Sequence, residues 1–116
     1  MNMNDSKQCT SSYFAENNMR YVFIDGSLCD SIEKCYSTLK QQLSLPNYFG
    51  NNLDALEEVL SDLDWIHEEK IKIIILNSTE LLAKNISTKN SFLDILNACE
   101  NKKIQIIYLG NEINAK

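Results

Sequence analysis

The chain has 116 residues, 16 acidic against 11 basic side chains, a formal net charge of −5 and 44% hydrophobic residues, which is enough for one domain with a real core and too little for two. The acidic balance, with no basic stripe, argues against direct nucleic acid binding, because affinity for phosphates comes largely from counterion release by Lys and Arg. The start, MNMNDSKQ, has no basic region followed by an apolar run, so a cytoplasmic protein away from any membrane is expected, with Cys9, Cys29, Cys35 and Cys99 as free thiols.

Residues 1–18 are polar, rich in Asn and Ser and without period, and read as a flexible N-terminal tail. From residue 19 the character changes. Tyr21, Val22, Phe23 and Ile24 form a β-branched and aromatic run closed by Asp25 and Gly26, a strand ended by a turn. Ile32, Cys35, Tyr36, Leu39 and Leu43 then recur on one face of a helix, with Ser31 as N-cap candidate. Pro46 stops that helix, since the residue before a proline is pushed out of helical geometry.

A second helix begins after Gly50, with Asn51 or Asn52 as cap and Leu53, Leu56, Val59, Leu60 and Leu63 as its buried stripe. KIKIIIL, Lys70 to Leu76, reads as a central strand covered on both faces. Glu80 to Lys84 reads as a short helix and Asn85 to Asn90 as a loop. A last helix through Phe92, Ile95, Leu96 and Cys99 has Asn90 or Ser91 as its cap. Cys35 and Cys99 fall on apolar helical faces and read as small buried hydrophobes. Lys103 to Leu109 is a third strand. The order predicts an α/β fold with a small parallel sheet and about four helices, the domain spanning 19–110 and 111–116 forming a C-terminal tail.

No set of residues points to catalysis or metal binding. His67 is the only histidine and has no nucleophile motif beside it, no CxxC pair exists, and the three glycines read as turn residues. Asp54, Glu57 and Glu58 project from one helical surface, whereas acid–base catalysis needs carboxylates held across a cleft. Neither cofactor nor metal is expected.

The unusual feature is charge. Between Gln41 and Glu69 stand seven acidic residues (Asp54, Glu57, Glu58, Asp62, Asp64, Glu68 and Glu69) and no Lys or Arg. Asp54 with Glu58, and Glu58 with Asp62, are like charges one helical turn apart, each pair costing roughly 0.2–0.5 kcal/mol. Such a face suits a basic partner that supplies the missing countercharge. Tyr48 and Phe49 precede it, either as a lid on the domain's own core or as anchors for that partner.

The run LPNYFGNNLDALEEVL, residues 45–60, resembles the signature of the barstar family of intracellular ribonuclease inhibitors, with weaker similarity over about residues 20 to 110. The resemblance implies a two-layer fold on a three-stranded parallel sheet in order 1-2-3. It also implies a monomer that plugs the active site of a basic nuclease toxin in a 1:1 complex. Carried over by position, Tyr48, Gly50, Asn52, Leu53 and Asp54 match residues that face or shape that contact, and Glu58 stands where the family has its most important aspartate, flanked by Glu57 and Asp62. The chain departs from the pattern where Glu57 replaces a tryptophan, where Asp62 and Leu63 replace a Gly-Trp pair, and where Asn97, Ala98 and Cys99 leave no equivalent of a late glutamate. An adaptor or regulator that grips a different basic protein is the alternative consistent with these departures.

Overall fold

The computed structural model describes residues 13–46 and 49–110. Strands β1 (Phe14–Glu16), β2 (Met19–Asp25), β3 (Lys70–Leu76) and β4 (Ile104–Tyr108) form one sheet in the order β1-β2-β3-β4. Helices α1 (Ile32–Leu43) and α2 (Leu53–Leu60) lie between β2 and β3, and α3 (Ile86–Ala98) between β3 and β4. The pairs β2–β3 and β3–β4 are parallel, as expected, whereas β1 is antiparallel to β2. The described residues thus carry a mixed four-stranded sheet and three helices, in place of a purely parallel three-stranded sheet with about four.

Each difference has a local cause. Asn17 and Asn18 both adopt positive φ, 55° and 64°, the two-residue turn that matches strand twist, and they fold Phe14–Glu16 back onto Met19–Tyr21. Residues 14–16, which lack a hydrophobic period, are therefore a strand rather than tail. At Glu80–Lys84 the expected short helix is a series of turns, because Leu82 takes φ 49° and breaks the helical path. That kink buries Leu81 and Leu82 side by side in the core. Helix α3 starts earlier than Asn90 or Ser91: the Asn85 side chain accepts from Thr88 N at 3.1 Å, so Asn85 is the cap, and the expected loop over 85–90 forms the first turns. Cys99 is the C-cap of α3, half-buried and packed against the core, where full burial was expected.

All three helices pack on one face of the sheet. Val22, Ile24, Ile71, Ile73, Ile75, Ile104 and Ile106 point into a single core with Cys35, Tyr36, Leu39 and Leu43 of α1, Leu56, Val59 and Leu60 of α2, and Phe92 and Leu96 of α3. The opposite face has no helix among the described residues, and Phe23 is 39% exposed there. The expectation that β3 is covered on both faces is corrected: after the exposed Lys70 its residues alternate between buried and half-buried. The free stretch of β2 beyond β1 is closed by Gln42, whose amide accepts from Phe23 N at 2.7 Å and donates to Phe23 O at 2.8 Å, as a neighbouring strand would. On the outer edge of β4 the Glu100 carboxylate accepts from Ile106 N at 3.1 Å.

Two locks hold the sheet's ends. At one, Asp25 Oδ1 accepts from Asn77 Nδ2, Ser27 Oγ and Ser27 N at 2.9, 2.7 and 2.9 Å, and these bonds, that of Asn77 foremost, hold its carboxyl below the usual 3.8. Gly26 is required beside it, since a side chain there would overlap the Asn77 carbonyl and sit 2.8 Å from Leu81 N. At the other end, the buried Arg20 pairs with Glu68 at 3.0 Å, donates to Gln42 O at 3.3 Å and lies 3.6 Å from the centre of the Tyr13 ring.

Gly26→Ala is expected to cost at least about 2 kcal/mol in urea unfolding. Glu68→Ala strands a buried guanidinium and is expected to cost about 3 kcal/mol, with the double variant Arg20→Met/Glu68→Leu recovering much of that loss. Because the folded carboxyl of Asp25 lies below its unfolded value, its contribution is complete above pH 3.8 and is lost as pH falls through the folded value. Stability of the wild type measured against pH should therefore drop below that point, and Asp25→Asn, weaker at pH 7, should drop less steeply.

Candidate functional site

Helix α2 is built to present charge. The Asn52 side chain accepts from Ala55 N at 2.8 Å as N-cap and donates to Gly50 O at 3.3 Å, so Gly50 and Asn52 shape the turn that launches the helix. Asn51, the other cap candidate, instead takes φ 54° ahead of it. Leu56, Val59 and Leu60 bury one side, and Leu53 is half-buried against the same core, so Leu53 supports the helix from within. Asp54, Glu57, Glu58 and Asp62 are all exposed. Tyr48 lies outside the described residues.

Asp54 in the first turn suits the positive end of the helix dipole, but Glu57, Glu58 and Asp62 crowd the negative end, and no basic residue occupies the last turn. Together with the like-charge spacing, this arrangement works against the helix that carries it. The described residues do not pair these four carboxylates with any cation, in contrast to Glu68, which Arg20 neutralises internally. One of the seven acids in the cation-free stretch is thus structural.

The carboxylates do not all converge. Glu58 and Asp62, with Gly50, line a recess of about 140 Å³ whose walls are Phe49, Ala55, Val59 and Trp65. Glu57 is not among the residues lining the recess, and its charge, after burial, helps raise the thiol of Cys99 at the end of α3. Asp54 stands apart from the recess at the start of the helix. Phe49 is a lid on the core, buried and edge-on to Tyr36 with ring centres 5.7 Å apart.

Trp65 is a wall of the recess that the motif does not mark. It stands in the turn after α2, half-buried, with its indole Nε1 donating to Leu43 O at 2.8 Å. The clue is present in the sequence, since this is the chain's single tryptophan and it directly follows Asp64. Its partner, the last carbonyl of α1, could not be read there. A larger recess of about 410 Å³ lies beside Lys70, Lys102 and Lys103, a setting that suits no cationic partner. Among the described residues no group of three or more His, Cys, Asp or Glu side chains could hold a metal ion, and no helix is long and apolar enough to cross a membrane.

The site therefore joins an uncompensated acidic surface to an aromatic-walled recess, which is chemistry for docking a cationic surface. Comparison with known proteins points the same way. Residues 19–109 match the family model described as Barstar (barnase inhibitor). The chain is also 37% identical over 75 residues, 65% of its own length and 70% of the relative's, to the Bacillus subtilis (strain 168) protein named "Putative ribonuclease inhibitor YrdF". This family is one of inhibitors and not of enzymes. On the match across the three parallel strands and all three helices, the chain belongs to the barstar family.

Proposed function

We propose that this protein is an inhibitor, or immunity protein, that blocks the active site of a basic ribonuclease toxin inside the cell. The observation that carries the reading is the placement of Glu58 and Asp62 on the rim of the Phe49–Trp65 recess, on a helix whose charges lack countercharges among the described residues. In the complex these carboxylates take the place of substrate phosphates and accept charge-assisted hydrogen bonds from Arg, Lys or His side chains in the enzyme's cleft. Asp54 and Glu57 extend the acidic surface to either side, Gly50 and Asn52 shape the turn that enters with the helix, and Tyr48 is a partner contact on the family resemblance. RNA is excluded because its binding groups are already occupied. One inhibitor fits one nuclease, with no cofactor.

The family's aromatic contacts are redistributed. Glu57 and Leu63 stand where tryptophans are expected, and Trp65 supplies an indole wall from two residues further along. The change in shape, with retention of charge, supports a nuclease target distinct from that of other family members. An adaptor with a different basic partner shares the same surface and is separated from the inhibitor reading by assay.

The test is titration of RNA hydrolysis by barnase, as reference enzyme, and by a basic ribonuclease from the same organism. The wild-type protein should inhibit at least one stoichiometrically, with association that slows as salt rises. Glu58→Gln and Asp54→Asn should each weaken that complex by about 2–5 kcal/mol. Glu58→Gln should leave the free protein as stable as wild type, or more stable by about 0.3–1 kcal/mol, because it removes a charge from the wrong end of α2. Unchanged inhibition by both variants would reject the assignment, and inhibition of no ribonuclease, with tight binding to another basic protein, would favour the adaptor.

A further inference from the structure

The recess beside α2 has the size and lining of a pocket for a single side chain. Its volume of about 140 Å³ is close to that of a cavity which holds one benzene-sized ring, about 150 Å³. Phe49, Ala55, Val59 and Trp65 make its walls apolar, and Glu58 and Asp62 carry the only charges among its described lining residues. Gly50 lines it without filling it, since a Cβ there would already stand 3.7 Å from that of Ala55. Both rings are fixed from behind, Phe49 by its edge-on contact with Tyr36 and Trp65 by the bond from its indole Nε1 to Leu43 O. The space is therefore preformed. Glu58 and Asp62 also flank the Ser61 C-cap, where the dipole of α2 favours a cation and the last turn supplies none. Lys103, which donates to Leu63 O at 3.4 Å, does not line the recess.

We propose that this recess is a subsite for one arginine side chain of the partner protein, and that Asp62 and Trp65 are the residues that select it. The proposal rests on the docking function proposed above and names the group that the recess receives. A guanidinium is planar, always charged and weakly hydrated, and it stacks on aromatic faces while its fork of N–H donors reaches carboxylates. A lysine ammonium is a compact, strongly hydrated point charge, and between Phe49, Val59 and Trp65 it would lose water that the walls do not replace. An uncharged ring would match the walls but leave Glu58 and Asp62 desolvated without a countercharge. Only arginine answers both the walls and the rim. Glu58 also belongs to the wider acidic surface, whereas Asp62 stands where the family pattern has glycine, so the selectivity is this chain's own.

Trp65 is the chain's single tryptophan, so its fluorescence and the NMR signal of its indole N–H report on the recess directly. The experiment titrates the full chain, with no nuclease present, with N-acetyl-arginine methylamide and with N-acetyl-lysine methylamide. The arginine compound should shift the Trp65 signals saturably and bind on the order of fivefold tighter than the lysine compound. Asp62→Asn should weaken arginine binding by a similar factor, and Ala55→Leu, which fills the space at constant charge, should abolish it. Asp64→Asn, the same loss of charge at an exposed acid outside the recess, should leave binding nearly unchanged. The proposal is overturned if no saturable shift occurs, if lysine binds as tightly as arginine, or if Asp64→Asn weakens binding as much as Asp62→Asn. Since no enzyme takes part, the result is separate from the inhibitor reading. Arginine selectivity in a protein that inhibits no ribonuclease would retain the subsite and reject the enzyme target, and inhibition without arginine selectivity would do the reverse.

Discussion

The C-terminal end of α1 organises this molecule. A helix leaves its last carbonyls without partners of its own, and here they collect groups from distant parts of the chain. Gln42 O accepts from the guanidinium of Arg20, Leu43 O accepts from the indole of Trp65, and Lys40 O accepts from Ser44 N and Leu45 N as Ser44 turns left-handed. The Gln42 side chain meanwhile closes the edge of β2. One helix end therefore fixes the position of β2, the hairpin through Tyr13, and the segment from Trp65 to Glu68.

That anchoring matters because α2 is a poor helix by itself. It has eight residues, its acids crowd the negative end of its dipole, and its neighbouring charges repel. Its stability comes from Leu56, Val59 and Leu60 in the core and from the Asn52 cap, while Trp65, held by α1, walls the recess that follows. A rigid scaffold thus tolerates a surface that costs stability in the free protein, a cost of the kind that a functional surface carries. The same logic separates Glu68 from its acidic neighbours, because a carboxylate neutralised by a buried arginine is part of the frame.

Much of the frame was legible from pattern. The periods over Ile32–Leu43 and the apolar run Lys70–Leu76 placed α1 and β3, and LPNYFGNNLDAL pointed to the family before any geometry. The failures have physical causes. The β1–β2 hairpin depends on Asn17 and Asn18 in left-handed geometry next to a strand too short to show a period. The first turns of α3 were hidden because Ile86 is 56% exposed and the segment carries no apolar stripe, so its cap at Asn85 was the only signal. Leu82 lost its helix to a backbone kink that lets two successive leucines enter the core, a tertiary gain that outweighs local propensity.

By itself the sequence determined the charge asymmetry, the three parallel strands and the helix that carries Asp54, Glu57 and Glu58, because these follow from composition and period alone. Only the tertiary structure decided which acids share a recess. It set Glu58 and Asp62 beside Trp65, left Glu57 outside that recess and assigned Glu68 to Arg20, since the neighbours of a carboxylate are chosen by how helices and loops pack and not by spacing along the chain. The same packing placed Cys29 against Thr38 of α1, a contact that no linear pattern records.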